Sequence, residues 1–337
     1  MGDLAFGTLI ANSRSVATVP YFASLPCAHT TLREHASAKQ AAPGRLPTED
    51  DGGERYAVEG EIARGGHATV LRAHDRRLHR PVAIKQLRLK RERAELRFMK
   101  EALLTARLQH PAIVNIYDVG SWPDGTLYFA MQLVKGETLA ERIATAGRGQ
   151  RLALIPAVIA VTDAVAYAHS QGVIHRDLKP SNVLVSDMGE TIVIDWGIAK
   201  VLSEPEVDAE PGESVGLSHT AVGSVVGTPN YMSPEQASGS EVDERTDVYA
   251  LGAMLYHLIA GHPPFAELPA EEVIEAVRHR APAPLVEDPE IPRALIQLVE
   301  RAMARDPGDR YRSAAELRDD LTPAAARRRS DRVRRVS

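Results

Sequence analysis

The stretch His175 to Asp195, H-R-D-L-K-P-S-N-V-L-V-S-D-M-G-E-T-I-V-I-D, constrains this chain most. Asp177, Lys179 and Asn182 fall within six residues, and Asp195 follows an apolar segment. Val183, Leu184 and Val185 read as one short strand. Ile192, Val193 and Ile194 read as its partner, joined by a turn at Asp187-Met188-Gly189-Glu190. Such a hairpin carries Asn182 and Asp195 to one end of a rigid element. Asp177 can orient and deprotonate a hydroxyl, and Lys179 can neutralise a phosphoryl group in transfer. Asn182 and Asp195 offer the hard oxygen ligands that suit Mg²⁺.

The octet His175 to Asn182, with Asp195-Trp196-Gly197 behind it, resembles the catalytic and metal-binding loops of the protein kinases. The resemblance is to the bacterial Hanks-type serine/threonine kinases and runs from about Tyr56 to Leu321. It implies an α+β, two-lobed fold, with a small antiparallel-sheet lobe on a larger helical lobe. ATP, with Mg²⁺ or Mn²⁺, would lie between the two.

Further motifs take their places in that frame. Tyr56 to Ala63 and Ala68 to His74 read as strands around a glycine hairpin. The family's phosphate-covering loop, G-x-G-x-x-G-x-V, maps onto Ala63, Gly65, Ala68 and Val70, with Gly66 beside it. Only the middle glycine is kept. The resemblance therefore lines the nucleotide site with Ile62, Ala63, Arg64, Gly65, Gly66, Ala68 and Val70, and with Ala83. Val82-Ala83-Ile84-Lys85 is a strand ending in the lysine that would contact the phosphates. A charged helix from about Arg91 to Gln109 carries Glu101, the carboxylate that would pair with Lys85. As an exposed pair it would orient Lys85 more than stabilise the fold, such pairs contributing about 0–1 kcal/mol. Ile113 to Val119 and Thr126 to Leu133 read as strands joined by the turn Trp122-Pro123-Asp124-Gly125. By resemblance Met131 lies beside the adenine, and the backbones of Gln132 and Val134 hydrogen-bond its edge.

The second half is helical. Ile155, Val158, Ile159, Val165 and Ala166 lead into the catalytic loop. Leu251, Met254, Leu255, Leu258 and Ile259 form an i, i+3, i+4, i+7, i+8 stripe that reads as core. Asp247, just before it, matches the family aspartate that braces the catalytic-loop backbone. Glu235, in Ser233-Pro234-Glu235, and Arg310 match a buried structural pair. Asp195-Trp196-Gly197 carries tryptophan where the family usually has phenylalanine, an enlarged apolar plug. Between it and Ser233, Glu204, Glu206, Asp208, Glu210 and Glu213, with Pro205 and Pro211, make an acidic half that reads as disordered. Gly227-Thr228-Pro229-Asn230-Tyr231 resembles the loop on which Ser/Thr kinases dock their substrates, with Thr228 bridging Asp177 and Lys179. Arg176 matches an arginine that grips a phosphorylated residue of this segment. Self-phosphorylation is therefore expected, at Thr220 or Ser224.

Residues 1–53 read as a flexible extension, 54–322 as the kinase domain and 323–337 as a solvated basic tail able to meet anionic lipid or nucleic acid. A net charge of −5 gives no global attraction to either polymer or membrane, so no specific nucleic-acid partner is expected. Cys27 is the only cysteine, which excludes an intrachain disulfide and fits a reducing compartment. No run reads as the roughly 18–20 apolar residues of a membrane span. The expectation is a cytoplasmic kinase acting on Ser and Thr of proteins, with scope for a kinase dimer. The rival reading is an ATP-binding pseudokinase scaffold, supported by Ala63, Ala68 and Trp196 and opposed by the complete set of charged motif residues.

Overall fold

A computed structural model describes residues 55–197, 199–201, 218–220, 224–226, 229–286, 288 and 291–336. The expected extension 1–53, the acidic half of the segment after Gly197, and Gly227 and Thr228 lie outside the described residues.

Five antiparallel strands open the domain: β1 (Tyr56–Arg64), β2 (Ala68–Asp75), β3 (Arg80–Leu87), β4 (Ile116–Ser121) and β5 (Leu127–Gln132), in the order β1-β2-β3-β5-β4. Val82 and Ile84 are buried on one face of β3, beneath Tyr56, Tyr128 and Ala130. The other face of the sheet receives helix α1 (Glu92–Arg107), whose Phe98 and Ala102 pack against Leu87 and Phe129. Farther along α1, Leu104 joins the core of the helical lobe instead, as does Leu108 just past its end. One helix thus touches both hydrophobic cores, and Glu101 sits where it passes from one to the other.

Strand β4 begins three residues later than the apolar run at Ile113 suggests. Residues 112–114 are tied to a different strand, β9 (Thr191–Val193): Val193 N donates to Ala112 O at 2.8 Å and Val114 N to Val193 O at 3.1 Å. Buried Ile113 makes a parallel bridge to Val193. The connection after α1 is thereby fixed to the catalytic hairpin.

That hairpin pairs β8 (Val183–Ser186) with β9, and β6 (Gly136–Thr138) extends it on the other side of β8. Gly189 takes the turn with φ +84°, a conformation open to glycine. Short helices α2 (Leu139–Thr145) and α3 (Arg148–Ala153) lead to α4 (Ile155–Ser170), then strand β7 (Val173–Ile174), which pairs with β10 (Lys200–Val201). β11 (Ser218–Thr220) and β12 (Ser224–Val226) form a small antiparallel pair that sets Thr220 opposite Ser224. Helices α5 (Pro234–Ser238), α6 (Glu244–Ala260), α7 (Ala270–His279), α8 (Arg293–Ala302) and α9 (Ala314–Val336) complete the lobe.

Helix α6 is its axis. The stripe Leu251, Met254, Leu255, Leu258 and Ile259 is buried as its spacing requires. A Cβ on Gly252 would come within 2.8 Å of Ala302 Cβ and Met303 Cγ, so glycine permits the close approach of α8. Two readings are corrected. Residues 148–170 do have the length and composition of a membrane span, but within the domain Leu152, Ile155, Val158, Val161 and Val165 fill the core. Nor does a tail begin at Pro323. Helix α9 runs through it to Val336, with Ala324 still in the core, because Ala324-Ala325-Ala326 and the arginines beyond are strong helix formers.

Candidate active site

Strand periodicity builds the roof of the cleft. Cα register aligns Ala63 with Val70, Val70 with Lys85, and Lys85 with Phe129 across β1, β2, β3 and β5. Two residues back on β3, on the same face as Lys85, Ala83 is the partner of Met131. Val70, Ala83, Lys85 and Met131 therefore share one surface. Met131 is half-buried beside the Phe98 and Phe129 cluster, so it serves core and cleft together. Gln132 N donates to Asn115 O at 2.9 Å and fixes the link between the lobes, which continues through Val134. At the β1–β2 tip, Gly65 N donates to Ala68 O at 2.9 Å, and Arg88 donates to Gly65 O at 2.8 Å. Ile62 and Gly66 are exposed, and Arg64 is engaged with Glu61.

Lys85 Nζ lies 2.5 Å from Glu101 Oε1 and 3.4 Å from Asp195 Oδ1. The Lys85–Glu101 pair is not the exposed one the sequence implies: the side chains are 17% and 10% exposed. Burial alone would lower the Lys85 pKa, but Glu101 and Asp195 outweigh it and hold it at about 12. Burial raises Glu101 against the pull of Lys85, and the Asp195 charge adds to the rise. Asp195 has a dense protein surround on one side, which by itself would raise its pKa. Lys85 and Lys179 overcome that and hold its pKa down. Its side chain remains 48% exposed because its other side faces the open cleft. A Cβ on Gly197 would stand 3.1 Å from Asp195 Oδ1 and 3.2 Å from Glu101 Oε2, so glycine there lets two carboxylates converge on one lysine.

The catalytic loop sits opposite. Lys179 Nζ donates to Asp177 Oδ2 at 2.6 Å. Asn182 Nδ2 donates to Asp177 O at 2.9 Å and to Asp177 Oδ2 at 3.2 Å. The Asn182 amide nitrogen is thus directed at Asp177, which turns its oxygen the other way. With ionised Asp195 this makes a pair of hard oxygen donors whose chemistry fits a divalent cation such as Mg²⁺.

Arg176 and Asp195 both hold left-handed backbone, φ +68° and +64°. Non-glycine residues keep such conformations only where surrounding bonds fix them. At Arg176 those bonds are visible: its N–H donates to Asp247 Oδ1 at 2.9 Å, and its carbonyl accepts from Gln236 Nε2 at 2.7 Å. His175 N donates to Asp247 Oδ2 at 2.8 Å. Asp247 therefore braces the loop as its motif implies. Burial would raise its pKa, but the hydrogen bond with His169, whose Nε2 is 2.9 Å from Oδ2, and the backbone N–H of His175 hold it down. Below it, fully buried Trp196 packs on His175 with ring centroids 4.6 Å apart, and burial keeps the His175 imidazole neutral.

Sequence reasoning missed His169 and Gln236. The signal for His169 was a histidine inside an otherwise apolar helix. Gln236 reads only as the third residue of the capping box that Ser233 opens, and the structure shows both roles.

The Protein kinase domain model matches residues 56–320. The chain belongs to the protein kinase family. Within it, the chain is 39% identical over 276 residues to a probable serine/threonine-protein kinase of Streptomyces coelicolor, covering 80% of this chain and 40% of that protein. It is 39% identical over 275 residues to serine/threonine-protein kinase PknB of Mycolicibacterium smegmatis, covering 80% and 42%. To serine/threonine-protein kinase PknD of Protochlamydia amoebophila it is 37% identical over 308 residues, covering 85% and 31%. These matches make it a bacterial Hanks-type kinase by family. The matched region spans about two-fifths or less of those relatives' length. ATP and a divalent metal are the usual partners of this family.

Proposed function

We propose that this chain transfers the γ-phosphoryl group of ATP to serine or threonine hydroxyls of proteins. The observation that carries the reading is a pair of charged clusters, Glu101–Lys85–Asp195 and Asp177–Lys179–Asn182, each closed by hydrogen bonds or ion pairs, with Lys179 near enough to lower the Asp195 pKa. No charged member is missing, which speaks against the scaffold reading.

Lys179 and Asn182 both engage Oδ2 of Asp177, so Oδ1 is the oxygen that meets the acceptor hydroxyl. Asp177 orients that hydroxyl and takes its proton as the new oxygen–phosphorus bond forms and the bond to the leaving ADP oxygen breaks. Lys85, held in place by Glu101, binds the phosphates, and Lys179 offsets charge on the group in flight. A divalent cation, Mg²⁺ or Mn²⁺, held by Asp195 and Asn182, would supply charge neutralisation across the phosphates. Positioning and fixed charge are the main catalytic effects in this chemistry. The proposed use of ATP supports a cytoplasmic site for the reaction.

Self-phosphorylation at Thr220 or Ser224 belongs to the same proposal. The register of β11 and β12 sets the two opposite each other in the segment that Arg176 would grip once phosphorylated. The test is incorporation from labelled ATP with Mg²⁺, beside Asp177→Asn, followed by mass mapping. Label that vanishes in the variant and maps to Thr220 or Ser224 supports the reading. Intact ATP binding with no incorporation into the chain or a generic protein substrate, under Mg²⁺ or Mn²⁺, overturns it.

A further inference from the structure

The segment Pro229–Gln236 continues the docking-loop motif and is fastened at several points. Met232 N donates to Pro229 O at 3.1 Å, closing a turn of 3₁₀ helix. Asn230 Nδ2 donates to Pro264 O at 2.5 Å. Gln236 Nε2 reaches the catalytic loop at Arg176 O. A further fastening is a side-chain pair: Tyr231 Oη lies 2.6 Å from His257 Nδ1, on α6. That length lies within the range of a hydroxyl donor, the arrangement in which Tyr231 donates and His257 Nδ1 accepts. The Tyr231 ring also rests against the helical core.

We propose that His257 is a positioning residue for the protein substrate, acting as a neutral hydrogen-bond acceptor that holds Tyr231, and through it the docking loop, in the conformation that receives the acceptor chain. This rests on the kinase reading above and names a residue that no motif of that reading includes. The surroundings favour the neutral form. Burial lowers the His257 pKa to about 4, and His262 and Arg151 add to the fall. Arg151 is itself held by Leu258 O at 3.3 Å and Ala146 O at 3.2 Å, and it lies close under Gly261. Burial also raises the Tyr231 pKa, so the phenol keeps the proton it donates. A neutral pair needs no counter-charge.

The experiment measures steady-state kinetics on the full chain with Tyr231→Phe, His257→Ala, the double variant and His257→Asn, whose amide oxygen can stand near the place of Nδ1. Loss of one neutral hydrogen bond predicts a rise in KM for the protein substrate of about three- to tenfold. KM for ATP and the thermal midpoint should stay near wild type. The double variant should be no worse than either single one, and Asn should restore most of the loss. Nitrogen chemical shifts of His257 should show the Nε2–H tautomer at pH 6, altered in Tyr231→Phe. Unchanged protein KM, equal rises in both KM values, or additive losses would overturn the proposal. A wild-type chain that phosphorylates no protein would overturn this role together with the kinase reading. Persistence of the imidazole signature would then show that the pairing itself was read correctly.

Discussion

Replacing Arg310 by methionine tests the buried pair that fixes the end of the docking segment to the rest of the helical lobe. The Arg310 side chain is 0% exposed and that of Glu235 is 9% exposed. Each of the guanidinium's five N–H donors has an acceptor. Two go to Glu235 Oε1 and Oε2, both at 2.8 Å, and the others to Ala304 O at 2.7 Å, Arg245 O at 3.0 Å and Arg305 O at 3.1 Å. Methionine would leave three carbonyls without these donors and a buried carboxylate whose remaining side-chain donor is Thr246 Oγ1, at 2.9 Å. Breaking one side of such a pair costs about 3–5 kcal/mol. At roughly 2–4 °C per kcal/mol for a sizeable domain, the thermal midpoint should fall by about 6–20 °C.

The pH dependence separates charge from packing in that loss. Burial pushes the Glu235 pKa up, but Arg310 outweighs it and holds the folded value below the ordinary one. A depressed carboxylate pKa contributes stability above its unfolded value, and that stability is lost as pH falls through the folded value. In Arg310→Met the same carboxylate has its pKa raised and is relieved by protonation. The gap between wild type and variant, followed by thermal unfolding from pH 7 to pH 4, should therefore narrow as pH falls. Glu235→Leu combined with Arg310→Met should recover part of the loss at pH 7, because the unpaired charge is gone. A gap constant with pH and no recovery in the double variant would refute the argument.

Three further outcomes follow from the site. Asp247→Asn must point an amide NH₂ at one of the N–H donors of His175, Arg176 or His169; a cost of about 1–3 kcal/mol should appear as a ten- to hundredfold fall in kcat with KM for ATP little changed. Glu101→Gln removes the charge that most raises the Lys85 pKa, so kcat/KM for ATP should fall by about tenfold or more, the scale of one charge-assisted hydrogen bond, while the fold survives in circular dichroism. Gly136→Ala would place a Cβ 2.3 Å from Val185 O, so β6 must move off β8; overpacking of about 1–3 kcal/mol should lower the thermal midpoint by several degrees.

The residues of the charged array were legible because their spacing is short and their chemistry dense. Asp177, Lys179 and Asn182 lie within one loop, and the hairpin of β8 and β9 returns the chain to Asp195 by turn chemistry alone. The stripe on α6 was legible for a similar reason, since 3.6-residue periodicity leaves one reading for an apolar face of that length. Boundaries were less so. Apolar residues 112–114 look like the start of β4, yet their backbone bonds go to β9, because strand propensity says nothing about which partner is near. Arginines after Pro323 look like a tail, yet the helix of the core is long enough to carry them.

The sequence by itself determined the family, the two lobes and the identity of the residues that form the charged clusters. Only the tertiary structure decided their electrical state. Glu101 could have been a surface carboxylate; burial against Lys85 makes it part of a desolvated pair that Asp195 meets from the cleft. His257 and His169 could have been ordinary core histidines. Their packing decides that one is neutral beneath Tyr231 and that the other holds Asp247 ionised. The reason is physical: motif spacing specifies which side chains exist, whereas desolvation and the distance to the nearest opposite charge depend on elements far apart in the chain.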